Sequence, residues 1–90
     1  MATIHLPADL AEAFNAGPVL SVEASTLAQL LQALELSYPG MGGWLTEADG
    51  SVRQHLSCFV EGYRVKPGRE ASTALASATE VWVLRAVSGG

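Results

Sequence analysis

The 90-residue sequence closes on Val87-Ser88-Gly89-Gly90. Two terminal glycines add nothing to a core and cost the most backbone entropy to order. A stalk without Cβ atoms can instead enter a narrow channel and bring the backbone close to a ligand. At its end Gly90 carries a carboxylate, a poor electrophile until it is activated. A partner enzyme that threads the tail could set that carboxylate against the α-phosphate of ATP and form an acyl-adenylate. A sulfur or nitrogen nucleophile would then displace AMP. On this reading the chain supplies substrate, reach and a docking surface, and the partner supplies the catalytic groups. The bland alternatives are a frayed terminus or a cloning remnant.

Other chemistry finds little support. His5 and His55 are distant in sequence, and His55 and Cys58, three apart on a strand, face opposite sides, so no metal site is expected. Cys58 alternates with Leu56 and Val60 and reads as a small buried hydrophobe. Gly40, Gly42 and Gly43 lack the Lys-Ser or Lys-Thr of a phosphate loop, and no nucleophile elbow occurs. Asp9, Glu12, Glu47 and Asp49 read as solvated loop positions. No residue is assigned an enzymatic catalytic role.

The elements that must carry the tail are legible from periodicity. Thr3–Leu6 alternates and is closed by Pro7, and Val19–Glu23 alternates after the Gly17-Pro18 turn; both are strands. Leu27, Leu30, Leu31 and Leu34 share one helical face. Thr26 and Gln29 form a capping box at its start, and Tyr38-Pro39-Gly40 stops it. Residues 40–51 read as a loop, with Trp44 and Leu45 anchoring it to the core. Residues 55–62 give a third strand, a short edge strand is centred on Val65, and Leu75 is a core contact. Glu80–Arg85 is the last strand, with Val81 and Val83 inward. Phe59, Trp82 and Leu84 then fall on the face opposite the helix, an apolar patch suited to docking a partner.

This order predicts an α+β, β-grasp arrangement: a mixed four- to five-stranded sheet, one main helix on one face, and the first and last strands parallel at the centre. One domain is expected over residues 1–90, with a flexible tail at 86–90. Hydrophobic residues make up 49% and charged residues 16% of the chain, which excludes a disordered segment. The net charge of −4 argues against nucleic acid or anionic lipid as partner. A single cysteine, with no signal peptide or spanning segment in view, suggests a reducing, cytoplasmic setting.

With these residues in order, the sequence resembles the ubiquitin-like sulfur carriers of the MoaD/ThiS family, MoaD- and CysO-like members above all. Val19–Thr26 leading into Leu27–Met41, with Tyr38-Pro39-Gly40, is similar to the family's second strand, cap and helix. Leu56–Gly62 is similar to its third strand and turn, and Thr73–Gly90 to its closing segment and Gly-Gly end. Ser77-Ala78-Thr79 replaces the usual acidic turn, and Arg85 and Ser88 are further departures.

The resemblance implies a carrier and not an enzyme, or else the small subunit of a sulfur-transferring complex. Gly90 would be adenylated by an E1-like adenylyltransferase that consumes ATP, then converted to a thiocarboxylate with sulfur from a donor. An acceptor enzyme would take that sulfur towards molybdopterin, cysteine or a similar product. Gly89, Ser88 and Val87 would thread the partner's channel. The free protein would be a monomer without bound cofactor or metal. The alternatives are a ubiquitin-like modifier joined to lysines through Gly90, and a plain β-grasp interaction module.

Overall fold

A computed structural model describes residues 1–76 and 79–86. Along the chain lie β1 (Ala2–His5), α1 (Ala8–Ala13), β2 (Val19–Val22), α2 (Leu27–Ser37), α3 (Met41–Leu45), β3 (Leu56–Val60), β4 (Tyr63–Val65), a 3-10 turn (Glu70–Ser72) and β5 (Glu80–Arg85). The sheet order is β2-β1-β5-β3-β4. β1 and β5 are parallel and every other pair is antiparallel. Ile4, Val81, Val83 and Cys58 on the inner face of the sheet form one buried cluster with Leu27, Leu30, Leu31 and Leu34 of α2. This is the expected β-grasp, with five strands.

α2 forms where its signals are strongest. The four leucines are all buried, and Thr26 Oγ1 accepts from the Gln29 N–H at 3.2 Å. The Gln29 side chain reaches back one residue further than a capping box requires, accepting from the Ser25 N–H at 2.9 Å. The neighbouring segment holds the same end of the helix: Thr26 bridges to Ala74, the Leu27 N–H donates to the Thr73 carbonyl and the Leu75 N–H to the Ser25 carbonyl.

At the other end, Gly40 turns the chain at φ 98°, in the left-handed region that favours glycine. The Glu35 carboxylate then accepts from the N–H groups of Gly40 and Gly42 at 2.9 and 2.8 Å. A Cβ on residue 42 would lie 2.7 Å from Glu35 Oε1, so this clamp needs glycine there.

Two short helices depart from the sequence reading. α1 occupies a stretch that carries no strong periodic signal, and it is ordered by burying Leu10 and Ala11. α3 lies inside the segment read as a loop. Its phase buries Met41 and Leu45, four residues apart, and turns Trp44 out to 56% exposure. The expected anchoring of Trp44 in the core is therefore corrected: Met41 fills that role beside Leu45.

Glu70 is buried at 3% exposure. Its Oε2 accepts from the Val52 N–H at 2.9 Å and its Oε1 from the Gly68 N–H at 3.0 Å. One side chain thus ties the segment before β3 to the one after β4. Glu70→Ala leaves the buried Val52 N–H without its acceptor and should lower unfolding free energy by about 1–3 kcal/mol. Glu70→Gln restores only part of this, because an amide presents its NH₂ to one of two N–H donors. Urea unfolding of the two variants measures both effects; equal stability of Glu70→Ala and the parent would contradict the assignment.

Candidate functional site: the outer sheet face and the base of the tail

Period-2 alternation along five strands places a row of outward residues across the whole sheet. Pairing registers join Val19 to His5, His5 to Trp82, Trp82 to Phe59, and Phe59 to Arg64. Trp82 and Leu84 are 44% and 45% exposed, and Phe59 is half-buried. The structure therefore brings Phe59 and Trp82 side by side as a cross-strand pair, with Leu84 two residues further along β5 on the same face.

Val19, His5 and Arg64 join this row without being part of the patch expected from the sequence, and His5 is the one that contacts Trp82. Its imidazole stacks flat on the Trp82 indole, with ring centroids 3.7 Å apart and an interplanar angle of 0°. Its Nε2 lies 2.6 Å from Glu80 Oε1, so with the proton on Nε2 it donates to that carboxylate. The Glu80 backbone N–H is in turn held by Glu61 Oε1 at 3.1 Å. His5 thus fixes the plane of Trp82 from one side while Phe59 flanks it on the other. The available signal was the outward phase of His5 in β1; its partner became visible only with the register of the parallel β1–β5 pair.

β5 is the central strand, and it delivers the chain to the tail. Two contacts fix its exit. The Ala86 N–H donates to the His55 carbonyl at 2.9 Å, which extends the β3–β5 ladder by one residue. The Arg85 guanidinium pairs with the Asp9 carboxylate of α1. That hydrogen-bonded pair holds the Asp9 carboxyl below its usual value, and its exposure keeps it a weak contact. Arg85, a departure from the family pattern, is therefore joined to the body of the protein. The candidate residues Val87, Ser88, Gly89 and Gly90 lie outside the described residues.

Cys58 sits on the inner face at 1% exposure. Burial, with a further contribution from the Glu70 charge, pushes its thiol up to about 12 from 9.0. Burial favours the neutral thiol in the folded state, so below about pH 9 its contribution to stability is fully present. It is lost as pH rises towards about 12, because the unfolded thiol ionises first. At neutral pH the native protein should resist thiol reagents and react fully once unfolded in guanidinium, a contrast that stopped-flow labelling reads directly. Rapid labelling of the native state would contradict this.

Among the described residues no group of three His, Cys, Asp or Glu side chains could hold a metal ion. None of the described helices is long and apolar enough to cross a membrane.

Known proteins extend this picture. The ThiS family pattern matches residues 4–90. CysO of Mycobacterium tuberculosis superposes with a TM-score of 0.85 at 24% identity, over 97% of this chain and 100% of that one. The Amycolatopsis orientalis BexX/CysO complex contains a chain that matches with a TM-score of 0.83 at 17% identity, over 100% of both. SAMP1 of Haloferax volcanii matches with a TM-score of 0.74 at 26% identity, over 99% of this chain and 98% of that one. No curated protein sequence matches significantly. A further match, at 24% identity, is named in full as small archaeal modifier protein 1 of Haloferax volcanii. With its β-grasp sheet, its outward aromatic row and a family match that reaches the final glycine, the chain belongs to the ThiS family.

Proposed function

We propose that the chain is a sulfur carrier whose working group is the Gly90 carboxylate. The observation that carries this reading is the extent of the family match, which runs through residue 90 and so includes the Gly-Gly end. The fold supports it because the central strand that precedes the closing residues carries the exposed Trp82 and Leu84.

An E1-like partner docks on Phe59, Trp82 and Leu84 and takes Val87, Ser88 and Gly89 into its channel. A Gly90 carboxylate oxygen attacks the α-phosphorus of ATP, and pyrophosphate leaves. Hydrosulfide-level sulfur from a donor then adds to the acyl carbon; the C–O bond to the phosphate breaks, AMP departs, and a thiocarboxylate remains. An acceptor enzyme takes the sulfur onward. That a small protein of this fold works through a protein partner is supported by the BexX/CysO complex, in which a CysO chain is bound to another protein. Cys58 takes no part, since its thiol is buried and protonated at neutral pH.

The first half of the cycle is testable without sulfur. An E1-like enzyme from the same cell should catalyse exchange of pyrophosphate into ATP only when this chain is present. Exchange that is absent, or independent of the chain, with each such enzyme the cell encodes would overturn the proposal. A second reading, conjugation through Gly90 to lysines, is favoured by the likeness to small archaeal modifier protein 1 at 26% identity. It shares the activation step, and isopeptide-linked adducts recovered from cells would mark it.

A further inference from the structure

β4 is the last strand of the sheet, and among the described residues its outer edge is unpaired. Beside it lies a cleft of about 360 Å³ whose wall includes Tyr63, Arg64, Val65, Lys66 and Arg69. We propose that this cleft docks an acidic, extended segment of a partner protein, which adds to β4 as a further strand. The inference concerns the folded body and does not depend on the chemistry at Gly90.

Charge is the first support. The chain has a net charge of −4 and only five Lys and Arg residues. Three of those five line this one cleft, and all three are exposed. Among the described residues the arginine side chains that form hydrogen bonds or ion pairs are those of Arg53 and Arg85, and Lys66 forms no ion pair. The nearby carboxylates are engaged elsewhere. Glu61 Oε1 accepts from the Glu80 N–H of β5 at 3.1 Å, and Glu70 is buried with both oxygens on backbone N–H groups. A cationic end on an otherwise acidic molecule orients an acidic partner, and it repels the same edge of a second copy.

Preorganisation is the second support. Glu61 and Gly62, which join β3 to β4, have φ of 50° and 86°. Two left-handed residues make the hairpin turn whose twist matches its strands, and this fixes the register of β4. After β4 the Arg69 N–H donates to the Lys66 carbonyl at 3.0 Å, and the Gly68 N–H donates to the buried Glu70 carboxylate. That closed turn returns residue 69 to residue 66.

The third support is the pattern along the edge. Alternation puts Arg64 on the outer side of the sheet, opposite Phe59, while Tyr63 and Val65 point the other way. Tyr63 is 80% exposed and offers an uncovered ring. A strand laid here meets a cation on one face and apolar surface on the other, so the segment that fits alternates Asp or Glu with Val or Ile. Because Phe59 pairs in turn with Trp82, the cleft continues the outer row, and a partner seated on that row reaches it. The opposite edge of the sheet, β2, is Val-Leu-Ser-Val and carries no cation, which makes it the internal comparison.

The test uses the purified 90-residue chain and a synthetic peptide with blocked ends, Asp-Val-Glu-Val-Asp-Ile-Glu, followed by ¹H–¹⁵N spectroscopy. The expected result is saturable movement of the Tyr63, Arg64 and Val65 amide signals, while those of Val19 to Val22 stay in place. Two control peptides should leave all of them unmoved: one with Lys for Asp and Glu, and one with Gly and Pro for Val and Ile. Arg64→Glu combined with Arg69→Glu should weaken binding about tenfold or more, since two exposed pairs become repulsive. Unchanged α2 signals in that variant show that the fold is kept. Binding should also weaken in about 1 M salt, where screening acts within about 3 Å.

No movement with the acidic peptide would overturn the proposal, as would equal movement at β2 or parent-like affinity in the double variant. Equal binding of the Gly and Pro peptide would overturn it by showing charge attraction without strand pairing. The same shifts with inorganic phosphate alone would overturn it in favour of a small-anion site.

Discussion

On the proposed function, a chain shortened by one residue, to Gly89, should yield no thiocarboxylate with an E1-like enzyme that activates the full chain. It still ends in a glycine carboxylate, so the chemistry of the terminal group is unchanged. What changes is reach, by about 3.3–3.6 Å. An attacking oxygen must come within about 3–3.5 Å of phosphorus, and misplacement by about 1 Å already costs on the order of 100-fold. With the partner docked on the body of the domain as proposed, the start of the tail is fixed, so the shortened tail should not compensate by sliding. The fold should not notice the deletion. The last buried core residue of β5 is Val83, and the final contact of the described chain is the Ala86 hydrogen bond to His55. Thermal unfolding should therefore match the parent within error while product falls below detection in intact-mass spectra. Parent-like yield from the Gly89 chain would show that the terminus is not positioned by the partner as argued.

The second large effect is expected at Trp82. Alanine there removes the most prominent aromatic group of the outer row, together with the surface on which His5 stacks. Central aromatic anchors in protein interfaces commonly contribute about 2 kcal/mol or more on truncation. That corresponds to a rise of roughly 30-fold in the partner enzyme's KM for this chain. The tail is untouched, so kcat at saturation should change little; the split between the two constants separates docking from chemistry. The cost to the fold is smaller, about 0.5–1.5 kcal/mol for the lost aromatic pairing. Leu84→Ala should follow in the same direction with a lesser effect, and His5→Ala should show whether fixing the indole plane matters to the partner. A KM within twofold of the parent for Trp82→Ala would place the interface elsewhere.

Much of the framework behind these expectations is legible in the residues. α2 combines a four-leucine stripe, a capping pair and a Pro-Gly stop, and its span was readable to within a residue or so. Alternation in Leu56–Val60 and Glu80–Arg85 separates Cys58 and Val83 from Phe59 and Trp82 because a half-buried strand has no other way to present them. The short elements were less legible for a definite reason. α1 and α3 are shorter than an isolated helix can be, and α3 contains two glycines, so local propensity argues against both. They exist because Leu10, Met41 and Leu45 reach the core, a tertiary effect.

Contacts between distant segments were hidden altogether. Nothing near Glu70 announces that it will accept from Val52, eighteen residues earlier. Nothing near His5 announces Trp82. Trp44 turns on the same point: in a loop an indole is a natural anchor, whereas the phase of the actual helix assigns that place to Met41.

On the proposed function, sulfur enters this protein at its last residue. The most direct test is intact-mass spectrometry after incubation with an E1-like enzyme, ATP and sulfide, followed by fragmentation. The expected result is a mass gain equal to one oxygen-for-sulfur exchange, carried entirely by the fragment that ends in Gly90, with Cys58 unmodified. An unchanged mass, or an added sulfur found on Cys58 as a persulfide, would contradict it.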